Sequence, residues 1–185
     1  MAKDIRPWQI LDSRYLVSRP WLTARRDTVL NPGNGVVNDE YYVLEYPKWV
    51  NIIAITDDDR FVLVRQYRHG LGIIARELCA GVVEQGEEPL EAARRELLEE
   101  TGYGGGEWRE LMTIGQNPGT CNNLTHCFLA RGVKRVDSQH LDATEDIEVV
   151  LMTENQLLDL MRQPDSELKQ ALMLAPLWRY FAEKR

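Results

Sequence analysis

Between Glu84 and Glu100 the chain carries seven carboxylates, and only Arg94 and Arg95 oppose them. No other stretch limits the fold as strongly. Residues 89–101, PLEAARRELLEET, have the marks of one helix. Pro89 suits its first position, the acids Glu87, Glu88 and Glu91 suit its positive end, and Gly102 suits a left-handed cap. Like charges one turn apart repel by about a few tenths of a kcal/mol in water, and by more when partly buried. Leu90, Ala93 and Leu97 form a separate apolar stripe that can pack on a sheet. At about 100° per residue, Glu96, Glu99 and Glu100 fall within an arc of roughly 100°. Arg95 flanks that arc, one turn from Glu99. With the stripe held on a sheet, three carboxylates point together. Oxygen donors with no His or Cys suit a hard divalent cation, Mg2+ or Mn2+, rather than zinc. The bare alternative is a solvated acidic face.

Around this helix the chain reads mostly as strands. Trp8 to Val17 and Trp21 to Leu30 are rich in aromatic and β-branched residues, and Asn31-Pro32-Gly33-Asn34-Gly35 supplies a turn. Tyr41 to Tyr46 forms another strand, and Pro47 marks a seam. The runs WVNIIAIT and RFVLVRQY, split by Asp57-Asp58-Asp59, predict a hairpin. IIARELCAG predicts a third strand ending at Gly81. Further strands fall at Trp108 to Gly115, Thr125 to Ala130 and Ile147 to Met152. Helices fall at Glu154 to Arg162 and Ser166 to Phe181. The fold class is α+β: a mixed sheet covered by helices, preceded by an N-terminal antiparallel β extension.

The 185 residues suffice for one domain with a small extension, and 44% of them are hydrophobic. The net charge is −7, which disfavours a non-specific nucleic-acid binder. No apolar run reaches membrane-spanning length, and the first residues show no secretory h-region. Cys79, Cys121 and Cys127 are odd in number and lack CxxC spacing. They point away from a disulfide framework and towards a reducing cytoplasm.

The residues from Gly81 to Tyr103 resemble the Nudix box, G-x5-E-x7-R-E-U-x-E-E-x-G-U, where U is a bulky aliphatic residue. Gly81, Glu87, Arg95, Glu96, Leu97, Glu99, Glu100 and Gly102 match in order and spacing. Tyr103 departs at a position that is usually aliphatic. The resemblance implies the Nudix fold, a mixed β-sheet sandwiched between α-helices. It also implies Mg2+-dependent hydrolysis of a nucleoside diphosphate linked to a further moiety, with Mn2+ as a substitute. Carried over residue by residue, Glu96 and Glu100 are metal ligands, and Glu99 is a ligand or a base for the attacking water. The carbonyl of Ala80 is a further ligand, and Arg95 orients the acids together with Glu87.

Beyond the box, Pro118 lies 15 residues past Tyr103, which resembles the ADP-ribose pyrophosphatase group. FVLVRQYR, ARELCAGVVEQGE and the N-terminal β piece resemble that group too. The likeness implies residues 1–47 as a β extension used in dimerisation and substrate binding, and 48–185 as the hydrolase domain. It implies a homodimer through that extension. Arg68 is expected on the diphosphate or ribose, since a guanidinium pairs well with phosphate oxygens. Glu77, Pro118 and Gly119 are expected at the substrate. Glu145, in LDATEDIEVV, is expected over the metals. The group's base often lies two residues before this glutamate, where this chain has Ala143, so Glu145 or Glu99 would have to serve. Cys121-Asn122-Asn123 stands where the group often has an acid, which opens the pocket to other nucleoside diphosphate sugars.

The expected substrate is therefore ADP-ribose or a related nucleoside diphosphate sugar, with no nucleic acid and no membrane as partner. Two other readings compete: action on nucleoside triphosphates or dinucleotides, and a Nudix-fold sensor that binds without hydrolysis. The five tryptophans are expected in the core or at a dimer interface, with Trp21, Tyr41 or Tyr42 as candidates to stack on a base, and the scattered His69, His126 and His140 are expected to be structural or on the surface. The three cysteines are expected to be small apolar packing residues. Gly104-Gly105-Gly106 lacks the Lys-Ser/Thr of a phosphate loop and is expected to be a turn.

Overall fold

A computed structural model describes residues 5–184; Met1 to Asp4, part of the stretch read for a secretory signal, lie outside it. The chain divides into two compact units. One holds the residues up to Tyr46 together with Gly115–Asn123, and the other holds Pro47–Ile114 and Leu124 onwards.

The first unit is an antiparallel sheet of β1 (Gln9–Arg19), β2 (Leu22–Asn31) and β3 (Val36–Glu45), in that order. The third strand begins five residues before the expected Tyr41. Pairing with β2 carries it down to the turn through polar Asn38, Asp39 and Glu40, where propensity gives no strand signal. Every residue of β1 is exposed, among them Ile10, Leu11, Tyr15, Leu16 and Val17. Asp27 on β2 is 2% exposed. Burial raises its proton affinity, but bonds from Arg25 and Ser13 outweigh that and hold its carboxyl below the ordinary value.

In the second unit β4 (Trp49–Thr56) and β5 (Phe61–Arg68) form the expected hairpin around the Asp57–Asp59 turn. Only Ala54↔Val62 and Ile55↔Phe61 pair directly. Beyond them the strands part, and β6 (Ile73–Val82) fills the gap. Its first half pairs with β5 and its second half with β4. After α1 (Pro89–Thr101) come β7 (Tyr103–Gly104), β8 (Glu107–Gly115), β9 (Leu124–Arg135), β10 (Ile147–Met152), α2 (Glu154–Arg162) and α3 (Ala171–Glu183). The sheet order is β10-β5-β6-β4-β9-β7, with β8 also on β9 and β4–β9 parallel.

Alternation along the strands splits the core into two layers. Val50, Ile52, Ala54 and Cys79 pack with Ala92, Ala93 and Leu97 of α1. Ile53, Ile55, Leu63 and Leu78 pack with Leu157 and Leu160 of α2 and with Met173, Leu177 and Tyr180 of α3. The apolar stripe of the acid helix is therefore seated, and Leu97 has no exposed surface.

Two further expectations are corrected: Gly104, read as part of a turn, ends β7 and pairs with Lys134 on β9, and the last helix is shorter at its start. The last helix begins at Ala171, not at Ser166. Residues 166–170 run irregularly: the Glu167 carbonyl accepts the Arg76 N–H at 3.1 Å, and Leu168 is buried in the core. A sheet contact and one anchoring leucine thus outcompete the local helix signal.

Candidate functional site

The site is built on two adjoining pieces of backbone, the end of β6 and the helix α1. Pro89 starts α1, and Gly102 ends it at φ 72° with its N–H on the Leu98 carbonyl. A left-handed residue there lets the chain reverse beside Asp137, whose carbonyl would clash with any Cβ at Gly102. Gly81 matters for a different reason. A Cβ on it would fall inside the Glu96 carboxyl group, so the helix acid lies directly against the strand backbone.

Arg95 is the hub. Its guanidinium donates to Glu87 at 3.0 Å through both Nε and Nη2, to Glu96 at 2.8 Å, to Glu99 at 3.0 Å and to the Val82 carbonyl at 3.0 Å. Glu87, then Glu96 and Glu99, hold Arg95 protonated well above its usual range. Arg95 in turn keeps Glu87 below the ordinary carboxylate value. The repulsion expected of seven crowded acids is thus partly cancelled by one planar cation whose fork serves three of them.

The three helix acids are not equivalent. Glu99 is half-exposed, Glu96 is mostly covered, and Glu100 is 4% exposed. Burial raises Glu96, although Arg95 opposes it. Burial drives Glu100 up to about 8, despite bonds from the Cys79 thiol and the Ala80 N–H; the charges of Glu96 and Glu145 push the same way. The Ala80 N–H donates to Glu100 at 3.1 Å. Cys79, expected only to pack, stands beside this acid, and its thiol is driven well up by burial and by Glu100. The signal that could have found it is the period of two: Cys79 and Gly81 share a face of β6.

Glu145 sits in the 136–146 loop. Its carboxylate accepts the Asp142 N–H at 2.9 Å, and its charge is felt at Glu96 and Glu100. The loop is clipped to the end of α1. Gln139 donates to the Glu100 and Ile147 carbonyls at 2.7 and 3.0 Å, and the His140 N–H donates to the Glu99 carbonyl at 2.8 Å. Sequence reading missed Gln139, which no motif marks.

Arg68 and Glu77 meet each other. Glu77 is 2% exposed, and Arg68 donates to it at 2.9 Å from Nε and 2.5 Å from Nη2, with Gln66 at 3.3 Å. Pro118 and Gly119 form a turn in the first unit, where the Gly119 carbonyl accepts the Tyr41 hydroxyl at 2.7 Å. Next to them the Leu44 N–H donates to Thr120 at 2.7 Å.

Among the described residues, no three His, Cys, Asp or Glu side chains already surround one point as a ligand set. Glu96 and Glu99 turn to Arg95, and Glu100 turns to Cys79 and Ala80. The donor chemistry nonetheless fits a hard cation. The acids and the Ala80 carbonyl offer only oxygen, burial holds the Cys79 thiol beside them protonated, and Glu100 is a buried acid whose ionisation lacks a compensating charge.

Residues 45–172 match the family model described as the NUDIX domain. Residues 8–44 match one described as the nucleoside diphosphate sugar hydrolase N-terminal domain. The methanol dehydrogenase activator of Bacillus methanolicus is 33% identical over 122 residues, 65% of this chain and 66% of that protein. The ADP-ribose pyrophosphatase of Bacillus subtilis is 33% identical over 120 residues, 64% of this chain and 65% of that protein. The chain thus spans just under two thirds of the length of these relatives. A crystal structure of an ADP compounds hydrolase superposes with a TM-score of 0.85 at 23% identity, covering 98% of this chain and 96% of that one. At that identity the likeness speaks for the fold.

Proposed function

This chain belongs to the NUDIX family, and on that premise we propose that it hydrolyses the diphosphate bond of ADP-ribose or a related nucleoside diphosphate sugar. The products are a nucleoside monophosphate and a sugar phosphate. The family generally requires a divalent metal, and we take Mg2+ as the ion here, with Mn2+ as a substitute. The observation that carries this reading is the gathering of Glu96, Glu99 and Glu100 around Arg95 and Cys79, with Glu145 close enough to raise Glu96 and Glu100.

In this reading Glu96 and Glu100, with the Ala80 carbonyl, hold the cation, and Glu99 and Glu145 complete its surroundings. When bound, the ion supplies charge neutralisation on the diphosphate oxygens and a lower pKa for bound water. The chain does the rest. Arg95 aims Glu96 and Glu99 and keeps Glu87 ionised. Glu145 takes the proton of the attacking water: among the described residues no cation pairs with it, whereas Glu99 spends an oxygen on Arg95. Arg68, backed by buried Glu77, meets the diphosphate or ribose with its remaining N–H groups. Pro118 and Gly119, in the turn that the Tyr41 hydroxyl holds within its own unit, are proposed to touch the substrate.

We further propose that residues 1–47 form the β extension and 48–185 the hydrolase domain, and that two copies associate through β1. The support is the match of residues 8–44 and the row of exposed apolar side chains on β1, which a lone sheet leaves uncovered. Among the described residues, no helix is long and apolar enough to cross a membrane. We place the protein in the cytoplasm, in keeping with its free thiols.

The test is direct. The protein is incubated with Mg2+ and, separately, ADP-ribose, ADP-glucose, GDP-mannose, NADH, diadenosine polyphosphates and nucleoside triphosphates, in water enriched in oxygen-18, with products identified by mass. Cleavage of a nucleotide sugar into two monophosphates, one carrying the label, is the expected result. Turnover that survives a chelator, or Glu100→Gln with full activity, would overturn the assignment.

A further inference from the structure

On the face of the sheet opposite α1, a cavity of about 410 Å³ opens between β8, β9 and the last turn of α3. It is lined by Glu107, Arg109, Arg131, Tyr180, Glu183 and Lys184, with Leu129 and Trp108 beside them. Three cations and two acids line it, and Glu154, just outside the lining, pairs with Lys184.

The cations are differently committed. Arg109 donates to Glu183 at 2.7 Å, and Lys184 is paired with Glu154. Arg131 has no carboxylate partner among the described residues. It is held by one buried aromatic: its Nη2 donates to the Tyr180 hydroxyl at 2.7 Å, and its guanidinium carbon lies 5.5 Å from the ring centroid. The Lys184 ammonium lies 5.4 Å from the same centroid. Tyr180 is 3% exposed and packs edge-on against Phe61 at 5.7 Å, so the platform beneath both cations is rigid. A guanidinium has five N–H donors and no acceptor, and one of these N–H groups is spent here. The hydroxyl that accepts it keeps a proton of its own to give. At Arg131 and Tyr180 the cavity thus offers several donors, and among the described residues the Arg131 guanidinium is bonded to no carboxylate, although Glu107 shares the lining. That pattern suits an oxyanion, for which the planar guanidinium fork is the matching group.

We propose that this cavity is a second ligand site, distinct from the acid helix, and that it takes a phosphomonoester of sugar-phosphate size through Arg131, Tyr180 and Lys184. The volume favours an organic phosphate over the free ion, since pockets of about 300 to 1,000 Å³ take whole small molecules. The site stands whether or not the acid helix is hydrolytic.

The test is titration calorimetry of the full chain in EDTA at low salt, with ribose 5-phosphate, AMP and inorganic phosphate as separate probes. EDTA leaves the crowded carboxylates of α1 without a cation, and an Arg68→Met variant, lacking the guanidinium assigned to the first site, is titrated alongside, so that binding it retains reports the opposite face. Saturable binding of an organic phosphate is expected. Arg131→Met should weaken it at least about tenfold, by loss of a charge-assisted fork, and Lys184→Met should weaken it less. Inorganic phosphate should bind several-fold more weakly than its esters. Thermal unfolding of both variants checks that the fold is kept, and phosphorus NMR line-broadening gives a second reading of the same loss. Absence of saturation up to about 10 mM, or Arg131→Met and Lys184→Met both binding within about twofold of the parent, would overturn the site. Equal affinity for phosphate and its esters would overturn the size assignment.

Discussion

Replacing Glu100 by Gln should make the metal-free protein more stable, and increasingly so as the pH rises. Glu100 is 4% exposed, and its carboxyl is pushed from an ordinary 4.5 up to about 8, first by burial and then by Glu96 and Glu145. Its folded-state value lies above its unfolded value. Its contribution is therefore fully present below about 4.5 and is lost as the pH rises towards about 8. In that window the folded chain binds one more proton than the unfolded chain, so stability falls by about 1.4 kcal/mol per pH unit. From pH 6 to pH 8 the loss from this one group comes to about 2 kcal/mol. A Gln in the same place accepts the Ala80 N–H but never ionises. The assay is urea unfolding of parent and variant in EDTA at pH 6 and pH 8. Their difference isolates Glu100 from the other titrating acids. The variant's advantage should grow by about 2 kcal/mol between the two conditions, and saturating Mg2+ should reverse the order, since only the parent offers the charge. An advantage that is the same at both pH values would refute the reasoning, because Glu100 would then be ionised in the folded protein throughout.

Gly81→Ala should cut turnover by at least about tenfold and weaken Mn2+ binding followed by electron spin resonance, because the new methyl displaces the Glu96 carboxyl. Arg95→Lys should lower stability by about 2 kcal/mol in urea unfolding without metal, since a point charge cannot serve Glu87, Glu96 and Glu99 at once. Asn51→Leu should cost about 1–3 kcal/mol in the same assay, with the metal dependence of activity unchanged. It removes the 2.7 Å bond that satisfies the buried Leu172 carbonyl at the start of α3.

The acid helix was legible from Pro89 to Thr101, because proline, glycine and charge placement at its ends agree with its apolar stripe. The contact of Arg95 with Glu99 followed from spacing alone, and that with Glu87 from the resemblance to the Nudix box. What spacing could not show was depth. Glu99 and Glu100 are neighbours on a helix, yet one is half-exposed and the other sealed beneath β6, because the strand ends over the second and not over the first. Arg68 and Glu77 lie in different strands, and their pairing depends on the β5–β6 register, which no local signal carries. The irregular run 166–170 was hidden for the same reason: its conformation answers to Arg76 on β6, not to its own residues.

The clips made by Gln139 and His140 have a consequence for how Glu145 arrives. Both seize main-chain carbonyls in the final turn of α1, groups every helix leaves spare at that end. The fourth acid is thereby surveyed from the same short span of peptide that carries the other three. A sequence drifting in the outer part of this loop would leave the placement intact, whereas unravelling a single turn at Thr101 would displace both partners of the reaction together.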